Sequence, residues 1–137
     1  MQLDKVIYTG KTLVTGGRDG SAKSDDGRLN VALSGPGSNG PGTNPEQLLA
    51  AGWSACFIGA MKRASAMESV ALPAGVAVNA EVDLGTIGEG YALQARLNVS
   101  LPGLAPEVAN KIIASAHNLC PYSKALKNNI HIELKLI

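Results

Sequence analysis

Residues 48–61, LLAAGWSACFIGAM, carry no charged side chain, and their apolar residues fall on every face of a helix. The run is preceded by Thr43-Asn44-Pro45-Glu46, which reads as a helix start. Thr43 or Asn44 stands as N-cap, Pro45 takes the first helical position, and Glu46 or Gln47 can close a capping box. A helix apolar all round is either buried or membrane-spanning. Fourteen residues fall short of the roughly 20 needed to cross a bilayer. The segment is therefore read as a buried central helix that ends near Glu68. Ala50, Ala51, Gly52, Ser54, Ala55, Gly59 and Ala60 are small and let other elements approach closely. In the middle stands Cys56. A single buried Cys is by default a small hydrophobe, so any chemistry at Cys56 needs support from elsewhere in the chain.

The remaining elements follow from periodicity and turn residues. Residues 6–15, VIYTGKTLVT, are rich in β-branched side chains and read as a strand. A glycine-rich turn, GGRDG at 16–20, and a second turn, SDDG at 24–27, lead to an alternating strand at 29–34. The first third is thus a three-stranded meander. Residues 35–42, GPGSNGPG, are too short and too close to the core helix to be a domain linker. Residues 76–84 and 91–101 both alternate and form an antiparallel hairpin across a glycine-rich connection at 85–90. Residues 106–119 show helical spacing at Val108, Ile112, Ala116 and Leu119. Ala105 stands where a capping Ser or Asp would help. Pro121 ends that helix and opens a short one at 122–127. Residues 130–137 close the chain as a strand. The order βββ-α-ββ-αα-β places the protein in the α+β class with antiparallel sheets.

With 137 residues the chain reads as one domain, 1–137, able to build a core without disulfide staples. The formal net charge is +1, with no basic cluster beyond Lys62-Arg63. That argues against a nucleic-acid partner. No signal peptide, membrane-spanning run or lipidation motif is visible, so the expected compartment is the cytoplasm and no membrane partner is expected. There, two cysteines point to redox or catalytic chemistry rather than a structural staple.

Cys56 and Cys120 lie far apart in sequence, with no CxxC. Three chemistries fit. A metal site would need Cys56, Cys120, His117 and His131, but only one end of that set is a close pair, and zinc fingers use close pairs at both ends. A Cys–His hydrolase would use His117 or His131 as base, without a nucleophile motif to support it. A thiol redox pair would use one reactive thiolate and one resolving thiol, and needs a cation to favour the thiolate. Arg18 in its glycine turn is the candidate; a solvated surface Arg is the plainer reading.

Taken together, NPEQLLAAGWSACF around Cys56, GGRDG around Arg18, the SDDG turn and HNLCPYSKAL around Cys120 resemble the organic hydroperoxide resistance (Ohr) branch of the Ohr/OsmC family. The resemblance runs over nearly the whole chain. It implies an intertwined homodimer with active sites at the subunit interface and a cysteine-based peroxidase that reduces organic and lipid hydroperoxides. It implies no cofactor and no metal. By motif position, Cys56 corresponds to the peroxidatic cysteine and Cys120 to the resolving one. Arg18 and Glu46 correspond to the polar pair that activates Cys56. The reductant implied is a lipoyl-type dithiol on a lipoylated protein rather than thioredoxin. Trp53, Phe57 and Tyr122 are candidate apolar pocket residues, with core packing as the plainer role for each. Trp53 stands where many relatives carry Tyr, and the missing cap at Ala105 is a second departure. Two alternatives stay open: an OsmC-type peroxidase of broader substrate range, and a non-catalytic module that binds a hydrophobic ligand or a metal.

Overall fold

The structure, a computed structural model, describes residues 2–137. It divides into two compact units, one ending at Pro45 and one running from Glu46 to Ile137. The element order is the one read from the sequence.

The first unit is a small antiparallel sheet of β1 (Thr12–Thr15), β2 (Ser21–Ser24) and β3 (Asn30–Ala32), in that spatial order. β1 passes into β2 through a single 3-10 turn at Gly17–Asp19, which carries Arg18. Gly16 and Gly17 hold φ of +73° and +59°, the left-handed region that glycine enters at no steric cost. A side chain at Gly20 would run into the Thr15 carbonyl, so the turn closes only with glycine there. The Asp19 carboxylate ties the turn to the next segment by accepting the Gly35 N–H at 3.2 Å. The strand expected over 6–15 is confined to its last four residues. Among the described residues, 6–11 find no ladder partner, and Val6, Ile7 and Tyr8 are exposed.

The second unit holds α1 (Pro45–Met67, whose first residue belongs to the first unit), β4 (Ala77–Ile87), β5 (Gly90–Ser100), α2 (Pro106–Leu119), α3 (Pro121–Leu126) and β6 (His131–Leu136). Its sheet order is β4-β5-β6. β4 and β5 form a long hairpin that continues into the glycine-rich stretch expected to be a loop. Ile87 pairs with Gly90, leaving Gly88 and Glu89 as the turn. Gly88, with φ +58°, supplies the positive φ that a two-residue hairpin asks of its first loop position.

The second sheet is mixed rather than wholly antiparallel: β6 runs parallel to β5, with Gln94 opposite His131 and Val99 opposite Leu136. The connection explains this. The chain leaves β5, crosses through α2 and α3, and returns in the same direction, which is how parallel neighbours must be joined.

The helices pack on this sheet. Trp53, Phe57 and Met61 of α1, Leu97 and Val99 of β5, and Ile112, Ala116 and Cys120 at the α2 end form a core with no exposed surface. α1 is buried along this face. Its opposite face, with Ala51, Ala55 and Gly59, is exposed in the single chain. α2 begins at Ala105 without a side-chain cap, as its sequence implies, and relies on Pro106 at the first turn. Among the described residues, no helix is long and apolar enough to cross a membrane.

Candidate active site

α1 carries Cys56 at its centre, and Cys120 sits at the junction of α2 and α3 as the N-cap residue of α3. Although 64 residues separate them, the Cys120 thiol donates to the Cys56 sulphur at 3.3 Å. Both are free thiols; Cys56 is half-buried and Cys120 fully buried. Burial pushes the Cys56 thiol above its ordinary value, the Tyr122 backbone N–H pulls it down by donating to the sulphur, and Cys120 adds a smaller upward push. Burial is the largest of these influences, so it disfavours the Cys56 thiolate.

The other nominated residues occupy distinct places. Trp53 and Phe57 are on α1 with no exposed surface, part of the core beneath Cys56. Tyr122 is 41% exposed and lies against α1 at Gly52, where an added Cβ would sit 3.0 Å from its hydroxyl. Glu46 is in the first turn of α1, half-buried. The helix is unbroken from Glu46 to Cys56. Ten residues at about 1.5 Å each separate the two by roughly 15 Å along the axis, so Glu46 does not reach the Cys56 of its own chain. Arg18 belongs to the first unit, on its exposed 3-10 turn.

The histidines stand apart from a shared site. His131 is exposed and faces Glu133 at 3.1 Å. His117 holds its Nδ1 buried with no hydrogen-bond partner. Among the described residues, no group of three or more His, Cys, Asp or Glu side chains is arranged to hold a metal ion.

One residue at the site went unassigned in the sequence. Ser123 has no exposed surface, and its Oγ accepts the Trp53 indole N–H at 2.9 Å. The available signal was the lone Trp inside the uncharged run 48–61. A buried indole needs an acceptor, and the CPYS segment offers a hydroxyl.

The family model for OsmC-like proteins matches residues 35–135. The organic hydroperoxide resistance protein of Xanthomonas axonopodis pv. citri is 42% identical over 97% of this chain and 96% of its own. The chain belongs to the Ohr branch of the OsmC-like family. Among solved structures, OhrB of Bacillus subtilis superposes with a TM-score of 0.91 at 34% identity, covering 96% of this chain and 100% of that one. An organic hydroperoxide resistance protein from Legionella pneumophila gives 0.89 at 36% identity, covering 96% and 98%. The Ohr fold described by these relatives is the α+β arrangement found here.

Proposed function

We propose that the protein is a thiol-dependent peroxidase that reduces organic hydroperoxides to alcohols. The observation that carries this reading is the contact of two free thiols, one accessible and one buried, in a chain of the Ohr branch. The Cys56 thiolate attacks the outer peroxide oxygen. The O–O bond breaks, the alkoxide takes a proton and leaves as the alcohol, and Cys56 is left as sulfenic acid. Cys120 then condenses with it to give a disulfide and water.

A thiol whose thiolate is disfavoured by burial gains from a positive neighbour. Arg18 fills that role in this reading, favouring the thiolate and the charge that builds on the peroxide oxygens. Glu46 orients the guanidinium as a bidentate partner. Trp53 and Phe57 form an apolar floor beneath Cys56 and Tyr122 a partly exposed wall, which favours alkyl and lipid hydroperoxides over hydrogen peroxide.

The site is proposed to be completed in a homodimer. Exposed apolar side chains at Leu3, Val6, Ile7 and Tyr8, a β-branched stretch without a ladder partner, and the outward small-residue face of α1 are surfaces a second copy would cover. The disulfide is reduced by a lipoyl-type dithiol, whose apolar stem suits the site better than charged glutathione.

Incubating the reduced protein with one equivalent of tert-butyl hydroperoxide and counting free thiols tests the reading. Rapid loss of two thiols per chain, restored by dihydrolipoamide and poorly by glutathione, is the expected result. Thiols that survive the peroxide point instead to a non-catalytic module. Equal turnover of hydrogen peroxide and the alkyl hydroperoxide points to an OsmC-type enzyme of wider range.

A further inference from the structure

The only buried residue of α3 is Ser123. A six-residue helix does not hold together in isolation, so its position is set by what it docks against. Leu126 packs against the hydrophobic core, and the polar contact is the Trp53 indole N–H, which donates to Ser123 Oγ at 2.9 Å across 70 residues of sequence. Both side chains have no exposed surface. The other buried polar residue among those described, Ser65, donates to Lys62 in its own helix and joins nothing distant.

The placement relative to the sulphurs is regular. Trp53 precedes Cys56 by three residues on α1, so the two share a helix face. Ser123 follows Cys120 by three residues, in the first turn of α3, whose N-cap is Cys120. The hydrogen bond therefore joins the two cysteine-bearing segments about one turn from each thiol. The Cys120 thiol at the start of α3 donates to the Cys56 sulphur at 3.3 Å, so the docking of α3 and the approach of the two sulphurs are linked.

We propose that the Trp53–Ser123 hydrogen bond is a clasp that holds the Cys120 segment against Cys56, and that Ser123 is a positioning residue for disulfide formation. This rests on the thiol peroxidase reading above. In the step concerned, the Cys120 sulphur attacks the sulphur of the Cys56 sulfenic acid. The S–O bond breaks, the S–S bond forms, and the hydroxyl leaves as water with the Cys120 proton. No outside oxidant enters. The thiols start at 3.3 Å and close to the bonded separation of about 2.0 Å, so the step needs little motion while the clasp holds. Without it α3 loosens, Cys120 samples positions away from Cys56, and the sulfenic acid survives long enough to meet a second peroxide and pass to sulfinic acid. The first step forms and breaks no bond at Cys120 or Ser123, so the two steps are read separately.

The test is a single-turnover comparison of the full-length protein with Ser123→Ala, using one equivalent of tert-butyl hydroperoxide. Dimedone captures sulfenic acid and mass spectrometry counts disulfide. Trp53 is the sole tryptophan, so its emission reports on the clasp directly. Ser123→Ala is expected to slow disulfide formation about tenfold relative to its own rate of peroxide consumption, with a shifted Trp53 emission. Ser123→Thr, which keeps the hydroxyl, restores the rate. Trp53→Phe removes the donor and reproduces the slowing, including where Ser123→Ala fails to fold. In the Trp53→Phe background, Ser123→Ala adds nothing further. Disulfide formation at the parent rate in Ser123→Ala, or additive slowing in the double variant, overturns the proposal. Equilibration with oxidised and reduced dithiothreitol reads the same clasp without peroxide: Ser123→Ala shifts the pair about tenfold toward the dithiol, and an unshifted equilibrium counts against the clasp. A parent protein that loses no thiols to peroxide sinks the peroxidase reading instead, and the dithiothreitol arm still decides the clasp.

Discussion

Cys56 and Cys120 touch at 3.3 Å, yet only Cys56 has access to solvent. That asymmetry orders the two thiols: the accessible sulphur meets the peroxide and the buried one waits for the sulfenic acid. Cys56→Ser is therefore expected to abolish hydroperoxide reduction. Cys120→Ser should react once, accumulate sulfenic or over-oxidised Cys56, and fail to turn over with a dithiol. Mass spectrometry of both variants after one equivalent of peroxide reads the outcome. Sustained multiple turnover by Cys120→Ser removes the resolving role.

The Cys56 thiol is pushed up by its burial, with the Tyr122 N–H opposing and Cys120 adding to the rise. A raised thiol pKa means the thiolate, the reactive form, is scarce at neutral pH and grows as pH rises. A neighbouring guanidinium acts in the opposite sense. The rate of bimane labelling of Cys56 should therefore inflect at lower pH in the parent than in Arg18→Ala. Superimposable profiles for the two proteins remove Arg18 from the activation of Cys56.

His117 gives a stability prediction. Burial, then the nearby Lys127 charge, lower its pKa below 6.5, and its buried Nδ1 has no partner. The folded state thus binds this proton less readily than the unfolded chain. The stability linked to neutral His117 is fully present above the unfolded value near 6.5 and is lost as pH falls through the lower folded value. Urea midpoints should drop on acidification across that window in the parent, and less in His117→Gln. Parallel slopes would show that the ring titrates the same way folded and unfolded.

How far the sequence carried depends on whether an element is specified locally. α2 runs over Pro106–Leu119, the span its apolar spacing gave, because proline and amphipathic periodicity act within one helix. α1 begins at Pro45 for the same local reason. Residues 6–11 have the composition of a strand but make none here, since a strand also needs a partner edge, and composition does not provide one. The parallel direction of β6 follows from the two-helix crossover, a tertiary matter. At the candidate site, the two cysteines were nominated through their motifs, and their contact across 64 residues is what the fold adds. Ser123 was not, because its role comes from an indole 70 residues away.

Gly52 offers a test of the wall formed by Tyr122. A Cβ at Gly52 would lie 3.0 Å from the Tyr122 hydroxyl, so Gly52→Ala displaces the ring by a few tenths of an ångström. In a helix interior the same change favours folding by up to about 1 kcal/mol. The expected variant is at least as stable as the parent but has a higher KM for cumene hydroperoxide. Unchanged KM in a stable Gly52→Ala would take Tyr122 out of the substrate wall.

The unbroken course of α1 through Gly52 bears on how Glu46 could serve the site. A break at Gly52 could have folded Glu46 back toward Cys56 within one chain, but the helix runs continuously from Pro45 to Met67. Glu46 stays roughly 15 Å along the axis from Cys56 at about 1.5 Å per residue, far beyond a Glu side chain. If Glu46 orients Arg18, and Arg18 activates Cys56, the more economical arrangement places them beside the Cys56 of another copy. The exposed Ala51, Ala55 and Gly59 allow a close helix approach between copies. Mixing Cys56→Ser and Arg18→Ala subunits tests this arrangement. Each parent homodimer should be inactive. The heterodimer places an intact Cys56 beside an intact Arg18 from its partner, so one site of two works and the mixture recovers activity in proportion to heterodimer formed. Sites contained within single chains leave every heterodimer site dead. Native mass spectrometry showing heterodimers alongside an inactive mixture would rule out the shared site.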